Sequence, residues 1–156
     1  MQMGLIGLGK MGFNMRQRLR EGGHDVVGYD PRPEVSDVAT LAGLAEKLET
    51  PRTVWVMVPS GPVTNETVVS LAGVLSSGDL VVDGGNSRYT EDAPHAALLA
   101  ERGIGFIDAG VSGGIWGLTE GYGLMVGGSD SDVARVMPIF DTLRPPGPAA
   151  DGFVHA

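Results

Sequence analysis

Short apolar runs alternate along the whole chain with longer stretches of helical period. The runs cover residues 3–6, 25–29, 53–58, 80–82, 105–107 and 122–126, and they are apolar at consecutive positions. That is the pattern of parallel strands covered by helices on both faces. Helical spacing appears between them, at residues 11–20, 40–48, 63–75, 90–102 and 131–143. Gly22-Gly23 and Gly103 stand where the first and fourth of these should stop. Thr90-Glu91-Asp92 reads as a capping residue followed by acids in a first helical turn. Such alternation predicts an α/β fold with a doubly wound, mostly parallel sheet, in one domain spanning residues 1–156. The Pro- and Gly-rich stretch 144–150 reads as a surface loop, and 151–156 as a final strand. Because no closing helix follows that strand, one sheet face is expected to lack cover and the chain reads as truncated.

Composition narrows the classes of function. No apolar run approaches the roughly 18 residues of a membrane helix, so no membrane role is expected. Residues 1–6 lack the basic segment and cleavage site of a secretory leader, so a cytoplasmic address is expected. There is no cysteine, which removes disulfides, thiolate metal sites and cysteine nucleophiles. The net charge of −8, with eleven dispersed Lys and Arg, argues against nucleic acid as a partner. A phosphorylated small molecule stays compatible, because local amides and one or two arginines bind an anion whatever the overall field. His24 and His95 read as solvated, and no set of His, Asp and Glu shows metal-ligand spacing, so no metal is expected. Met3, Met11, Met15, Met57, Met125 and Met137 read as core or near-core filling.

Glycine is the unusual component: 25 of 156 residues, about one in six against a typical ~7%. Many stand at the ends of the apolar runs, and the first group forms Gly7-Leu8-Gly9-Lys10-Met11-Gly12. A G-x-G-x-x-G between a strand and a helix is the dinucleotide-binding fingerprint of a Rossmann-type domain. Gly7 serves the tight turn, Gly9 lets amides approach a pyrophosphate, and Gly12 lets helix and strand pack closely. Lys10 is either a solvated loop residue or a phosphate contact. Asp30, at the end of the second strand, is placed to accept hydrogen bonds from the adenosine ribose, which favours NAD. Arg32 just beyond it is suited to a 2′-phosphate, so NADP or dual use stays open.

Two further loops follow strands. Asp83-Gly84-Gly85-Asn86-Ser87-Arg88 offers donor and acceptor at Asn86, and Asp108-Ala109-Gly110-Val111-Ser112-Gly113-Gly114 is small and polar. Facing one crevice, they would suit an anionic or polyhydroxy substrate.

These motifs, with Leu124-Met125-Val126-Gly127-Gly128, resemble decarboxylating 6-phosphogluconate dehydrogenase over essentially the whole chain. The stretch from Gly113 to Gly123 is similar to the short bacterial, often NAD-linked form. The resemblance implies oxidation of 6-phosphogluconate, loss of CO2 and release of ribulose 5-phosphate, a pentose phosphate reaction. It implies cofactor contacts at Val58 and Ser60, a double role for Asn86 at the nicotinamide ribose and the substrate, and substrate contacts at Ser112, Gly113 and Gly114. The family's general base is a lysine on a helix beyond Ala156; Lys10 and Lys47 do not match it, so no catalytic residue is expected in this chain. The full-length protein is expected to be a homo-oligomer built through that further helical domain. A 3-hydroxyisobutyrate-type dehydrogenase domain and a non-catalytic nucleotide-sensing module remain the alternatives.

Overall fold

The computed structural model describes residues 1–59, 61–85, 89–113, 116–148 and 151–156, and of residues 89–91 the backbone alone. In chain order the elements are β1 (Gln2–Ile6), α1 (Lys10–Glu21), β2 (Asp25–Tyr29), α2 (Leu41–Lys47), β3 (Thr53–Val56) and α3 (Pro62–Val74). There follow β4 (Leu80–Asp83), α4 (Tyr89–Ala100), β5 (Gly105–Ser112), α5 (Gly117–Glu120), β6 (Gly123–Gly127), α6 (Asp130–Leu143) and β7 (Phe153–His155). The strands form one sheet in the order β2-β1-β3-β4-β5-β6-β7, parallel throughout except where β6 runs against β5. From β1 the chain goes to β2 on one side and returns to β3 on the other. That reversal makes the carboxyl end of β1 the topological switch point, where open α/β sheets bind ligands.

The strand pleat divides the apolar residues between two cores. Met3, Leu5, Trp55 and Val82 face α1 and α6, joining Met15, Leu19, Val136, Ile139 and Phe140. Ile6, Val54, Val56 and Val81 face the other way, joining Leu44, Val68, Leu71 and Leu99 on α2, α3 and α4. The consecutive apolar residues of the sequence are thus accounted for as strands buried on both sides. Arg18 fastens the first layer: its guanidinium donates to the carbonyls of Leu118, Thr142 and Arg144, at 3.1, 2.8 and 3.1 Å. Those of Thr142 and Arg144 stand at the carboxyl end of α6, where carbonyls lack helical partners.

Several boundaries differ from the sequence reading. The strand expected at 105–107 runs on to Ser112, because Ala109, Gly110 and Val111 pair with Val126, Met125 and Leu124 across the antiparallel ladder. Thr90 lies inside α4, which begins at Tyr89, so the capping reading of Thr90 is corrected. Met125 is 59% exposed rather than core, since it and its register neighbour Val154 lie on a sheet face over which no helix packs among the described residues. The short α5 left no periodicity to read; Gly117 in it packs so closely on Tyr122 that a Cβ would overlap the ring.

Candidate nucleotide-binding site

The turn after β1 follows from its three glycines. Gly7 has φ +93°, a region rarely open to other residues, and its N–H donates to the Tyr29 carbonyl at 2.9 Å. A Cβ on Gly12 would collide with the Gly7 carbonyl oxygen, so α1 rests directly on the turn. Around a Cβ built on Gly9 nothing lies within 4 Å. Gly9 is the N-cap of α1, no side chain caps that terminus and no acid occupies its first turn. Its first N–H groups are therefore available to an anion at the positive end of the helix dipole. A cleft of about 530 Å³ opens there, lined by Gly7, Gly9, Lys10, Met11 and Gly12, by Asp30 and Arg32, and by Val58, Gly84 and Gly85. These features fit a dinucleotide, with its diphosphate at the amides and an acid on the adenosine side.

Asp30 is buried at the end of β2. Its Oδ2 accepts the Leu8 N–H at 2.8 Å, and its Oδ1 accepts the Arg32 N–H at 2.9 Å and Arg32 Nε at 3.0 Å. Burial pushes this carboxyl's pKa up, but the Arg32 guanidinium and the two N–H groups outweigh it, and the net pKa falls below the ordinary value. Arg32 also donates to the Leu8 carbonyl at 2.8 Å. Leu8 therefore departs from its expected role: its side chain is buried in the core and its peptide groups are taken by Asp30 and Arg32. It positions the acid instead of facing the cleft.

A second ionic cluster escaped the sequence reading. Asp37 Oδ2 accepts the Gly28 N–H at 2.7 Å, Arg20 at 2.7 Å and the buried Arg16 at 3.2 Å. Arg16 reaches the Val35 carbonyl at 2.9 Å as well, and its guanidinium lies 5.0 Å from the Phe13 ring centre. Burial raises the Asp37 pKa, yet the Gly28 N–H and the two arginines bring it below the usual range. The cluster ties the segment after β2 to α1 and so fixes the wall on which Asp30 sits. Its only signal in the sequence was a pair of arginines one helical turn apart on α1.

Gly84 and Gly85 extend the cleft from the end of β4. A Cβ on Gly84 would press on the Trp55 ring and Met57 Sδ, and the Gly85 N–H donates to Asp83 Oδ1 at 2.9 Å. Ser60, Asn86 and Gly114 lie outside the described residues. Ser112 and Gly113 end β5 elsewhere: Ser112 lines a separate groove of about 430 Å³ with Gly110, Met125 and Val154. Among the described residues the first loop is divided: Gly84 and Gly85 line the nucleotide cleft, while Asp83 lines a second pocket with Asp108, Ala109 and Gly110 of the other loop.

The histidines also differ from expectation. His24 is half-buried, with Nε2 2.7 Å from Thr142 Oγ1, and burial lowers its pKa. His95 is only 5% exposed. With Asp83 and Asp92 it offers ligand atoms that lie within 4.8 Å of one another, a convergence the sequence spacing did not suggest.

A family model of the NAD-binding domain of 6-phosphogluconate dehydrogenase matches residues 2–144. The NAD(+)-dependent decarboxylating 6-phosphogluconate dehydrogenase of Haloferax volcanii is 36% identical, over 99% of this chain and 53% of its own length. A Plasmodium falciparum 6-phosphogluconate dehydrogenase superposes with a TM-score of 0.85 at 26% identity, over 92% of this chain and 34% of that one. Mycobacterium tuberculosis 3-hydroxyisobutyrate dehydrogenase superposes with a TM-score of 0.83 at 27% identity, over 99% and 53%. The chain spans between about a third and about half of the length of the curated relatives it matches. With the family match, the uncapped glycine turn at the switch point and the acid at the end of β2 in agreement, the chain belongs to the NAD-binding domains of 6-phosphogluconate dehydrogenase.

Proposed function

We propose that this chain is the cofactor-binding part of an NAD-linked, decarboxylating 6-phosphogluconate dehydrogenase. One observation carries the reading: the uncapped start of α1 opens on a cleft whose adenosine side ends in the low-pKa carboxylate of Asp30. The N–H groups of Gly9 to Gly12 hold the diphosphate, with Lys10 at the rim. Asp30 accepts from the adenosine ribose hydroxyls, at Oδ2 above all, where the Leu8 N–H is the one short hydrogen bond and Arg32 Nη2 stands at 3.5 Å. Val58 and Ser60 run along the cofactor, and Gly84-Gly85 lead to Asn86 at the nicotinamide ribose. When bound, the nicotinamide supplies a hydride acceptor.

NAD is favoured over NADP because Arg32 is already engaged by Asp30 and the Leu8 carbonyl, and because Asp30 stands where a 2′-phosphate would meet its charge. On this reading Asn86, Ser112, Gly113 and Gly114 contact 6-phosphogluconate once a following helical domain closes over β5 and β6. That domain also supplies the lysine that removes the hydroxyl proton and the subunit contacts of a cytoplasmic homo-oligomer. Residues 1–156 alone then bind cofactor and turn nothing over.

Titration with NADH and NADPH tests the cofactor half. NADH should bind tighter, and Asp30→Asn should weaken NADH more than NADPH; tighter NADPH binding by the unaltered chain contradicts the assignment. Assay of the full-length protein tests the substrate half, because reduction of NAD with 3-hydroxyisobutyrate and not with 6-phosphogluconate would replace this reading with the neighbouring one.

A further inference from the structure

On the α4 side of the sheet, next to the Gly84–Gly85 wall of the nucleotide cleft, three ligand groups converge. Asp83 is the last residue of β4, and Asp92 and His95 are three residues apart on α4, hence on one helix face. Leu99, one turn further along that face, is fully buried, so the face is turned toward the sheet. One ligand atom from each of Asp83, Asp92 and His95 lies within 4.8 Å of the other two. Nitrogen and oxygen ligands about 2.0–2.2 Å from a common ion stand roughly 3–4 Å apart, within a small side-chain adjustment of this spread.

The histidine adds an independent observation. His95 Nε2 lies 3.3 Å from Oδ1 of Asn65 on α3. An amide oxygen only accepts, so Nε2 carries the proton and donates, which leaves the lone pair on Nδ1. That Nδ1 is buried and has no hydrogen-bond partner among the described residues. An imidazole held by one nitrogen on an oxygen, with the other nitrogen bare, is in the tautomer and orientation of a metal ligand with its outer-sphere support. Asp108 is the register partner of Asp83 on β5, and Asp83, Asp92 and Asp108 together line a pocket of about 310 Å³.

We propose that Nδ1 of His95 and the carboxylates of Asp83 and Asp92 bind one divalent cation of the Zn²⁺ or Mn²⁺ class. Two carboxylates and one imidazole match ions that accept both oxygen and nitrogen, and solvent fills the remaining positions. The ion ties α4 to the carboxyl end of β4. The proposal does not rest on the assigned cofactor or substrate.

The test is dialysis of the chain against Zn²⁺ and against Mn²⁺, with bound metal counted by elemental mass spectrometry. It is paired with thermal unfolding and, for Zn²⁺, with long-range ¹H–¹⁵N spectra of the three histidines. The expected result is one ion per chain, a rise in Tm of about 5 °C or more at saturation, and a shift of the His95 Nδ1 resonance. Asp92→Asn and His95→Gln should each lose the ion and the Tm rise; should either fail to fold, the histidine spectrum of the unaltered chain decides. Failure of both metals to reach one ion per chain overturns the proposal, as does retention of the ion by both variants or a Zn²⁺ response at His24 or His155 in place of His95.

Discussion

The corner formed by β1, α1 and β2 and the edge formed by β5, β6 and β7 belong to one sheet but are held by different means. In the corner, peptide groups and buried ions close on each other. Asp30 holds Leu8 and Arg32, Asp37 holds Gly28, Arg16 and Arg20, and Gly12 lies against Gly7 with no space between. At the edge, β7 has three residues, none of them fully buried, and Met125 and Val154 present apolar surface to solvent. Phe140 reaches toward the edge from α6, with ring centroids 5.8 Å from Trp55 of β3 and 5.3 Å from Phe153 of β7. The corner draws its shape from backbone geometry that tolerates almost no added atom, whereas the edge draws it from apolar packing on one face only. A site that must match a rigid diphosphate is built on the first kind of region.

Substitutions should separate the two. Gly12→Val drives a side chain into the Gly7 carbonyl and should cost about 4 kcal/mol or more, or abolish cooperative unfolding in denaturant. Phe140→Ala removes the shared ring and should cost about 3–4 kcal/mol in the same assay, with the edge losing hydrogen-exchange protection before the corner. Asp37→Asn leaves Arg16 buried beside a neutral amide and should cost about 1–3 kcal/mol. Folding lowers the pKa of both Asp30 and Asp37, so their stabilisation is whole above the ordinary value of 3.8 and is lost as pH falls through the lower folded values. A plot of Tm against pH should fall in that acid window, less steeply in Asp37→Asn than in the unaltered chain. The smallest effect belongs to Met125→Ser with Val154→Thr, which should alter stability by less than about 0.5 kcal/mol and reduce self-association in sedimentation runs. A large loss of stability there would mean that the edge is packed as tightly as the corner.

What the sequence disclosed follows the same division. The glycine turn was legible because its constraints act within six residues, and Asp30 because the length of one helix and one strand fixes where it falls. The Asp37 cluster was not, since it needs α1 and the segment after β2 folded against each other before Arg16, Arg20 and Asp37 meet. Leu8 was read as a ligand contact because motif position does not reveal which amides the fold consumes. The length of β5 was underestimated because Ala109 and Gly110 carry no strand signal of their own; only the antiparallel partner β6 makes them a strand. His95 looked solvated on a helix with acidic neighbours, and its burial follows from the phase that puts Leu99 on the sheet.

The most direct measurement is calorimetric titration of NADH into the chain and into Gly9→Val. The Gly9 site has no neighbour within 4 Å, so the variant should fold with nearly unchanged circular dichroism while its side chain blocks the bare amides. The account predicts one saturable site per chain, weakened at least about 100-fold in Gly9→Val, equivalent to about 2.8 kcal/mol. Equal NADH affinity in the two folded proteins would contradict the assignment of the glycine turn as the seat of the diphosphate.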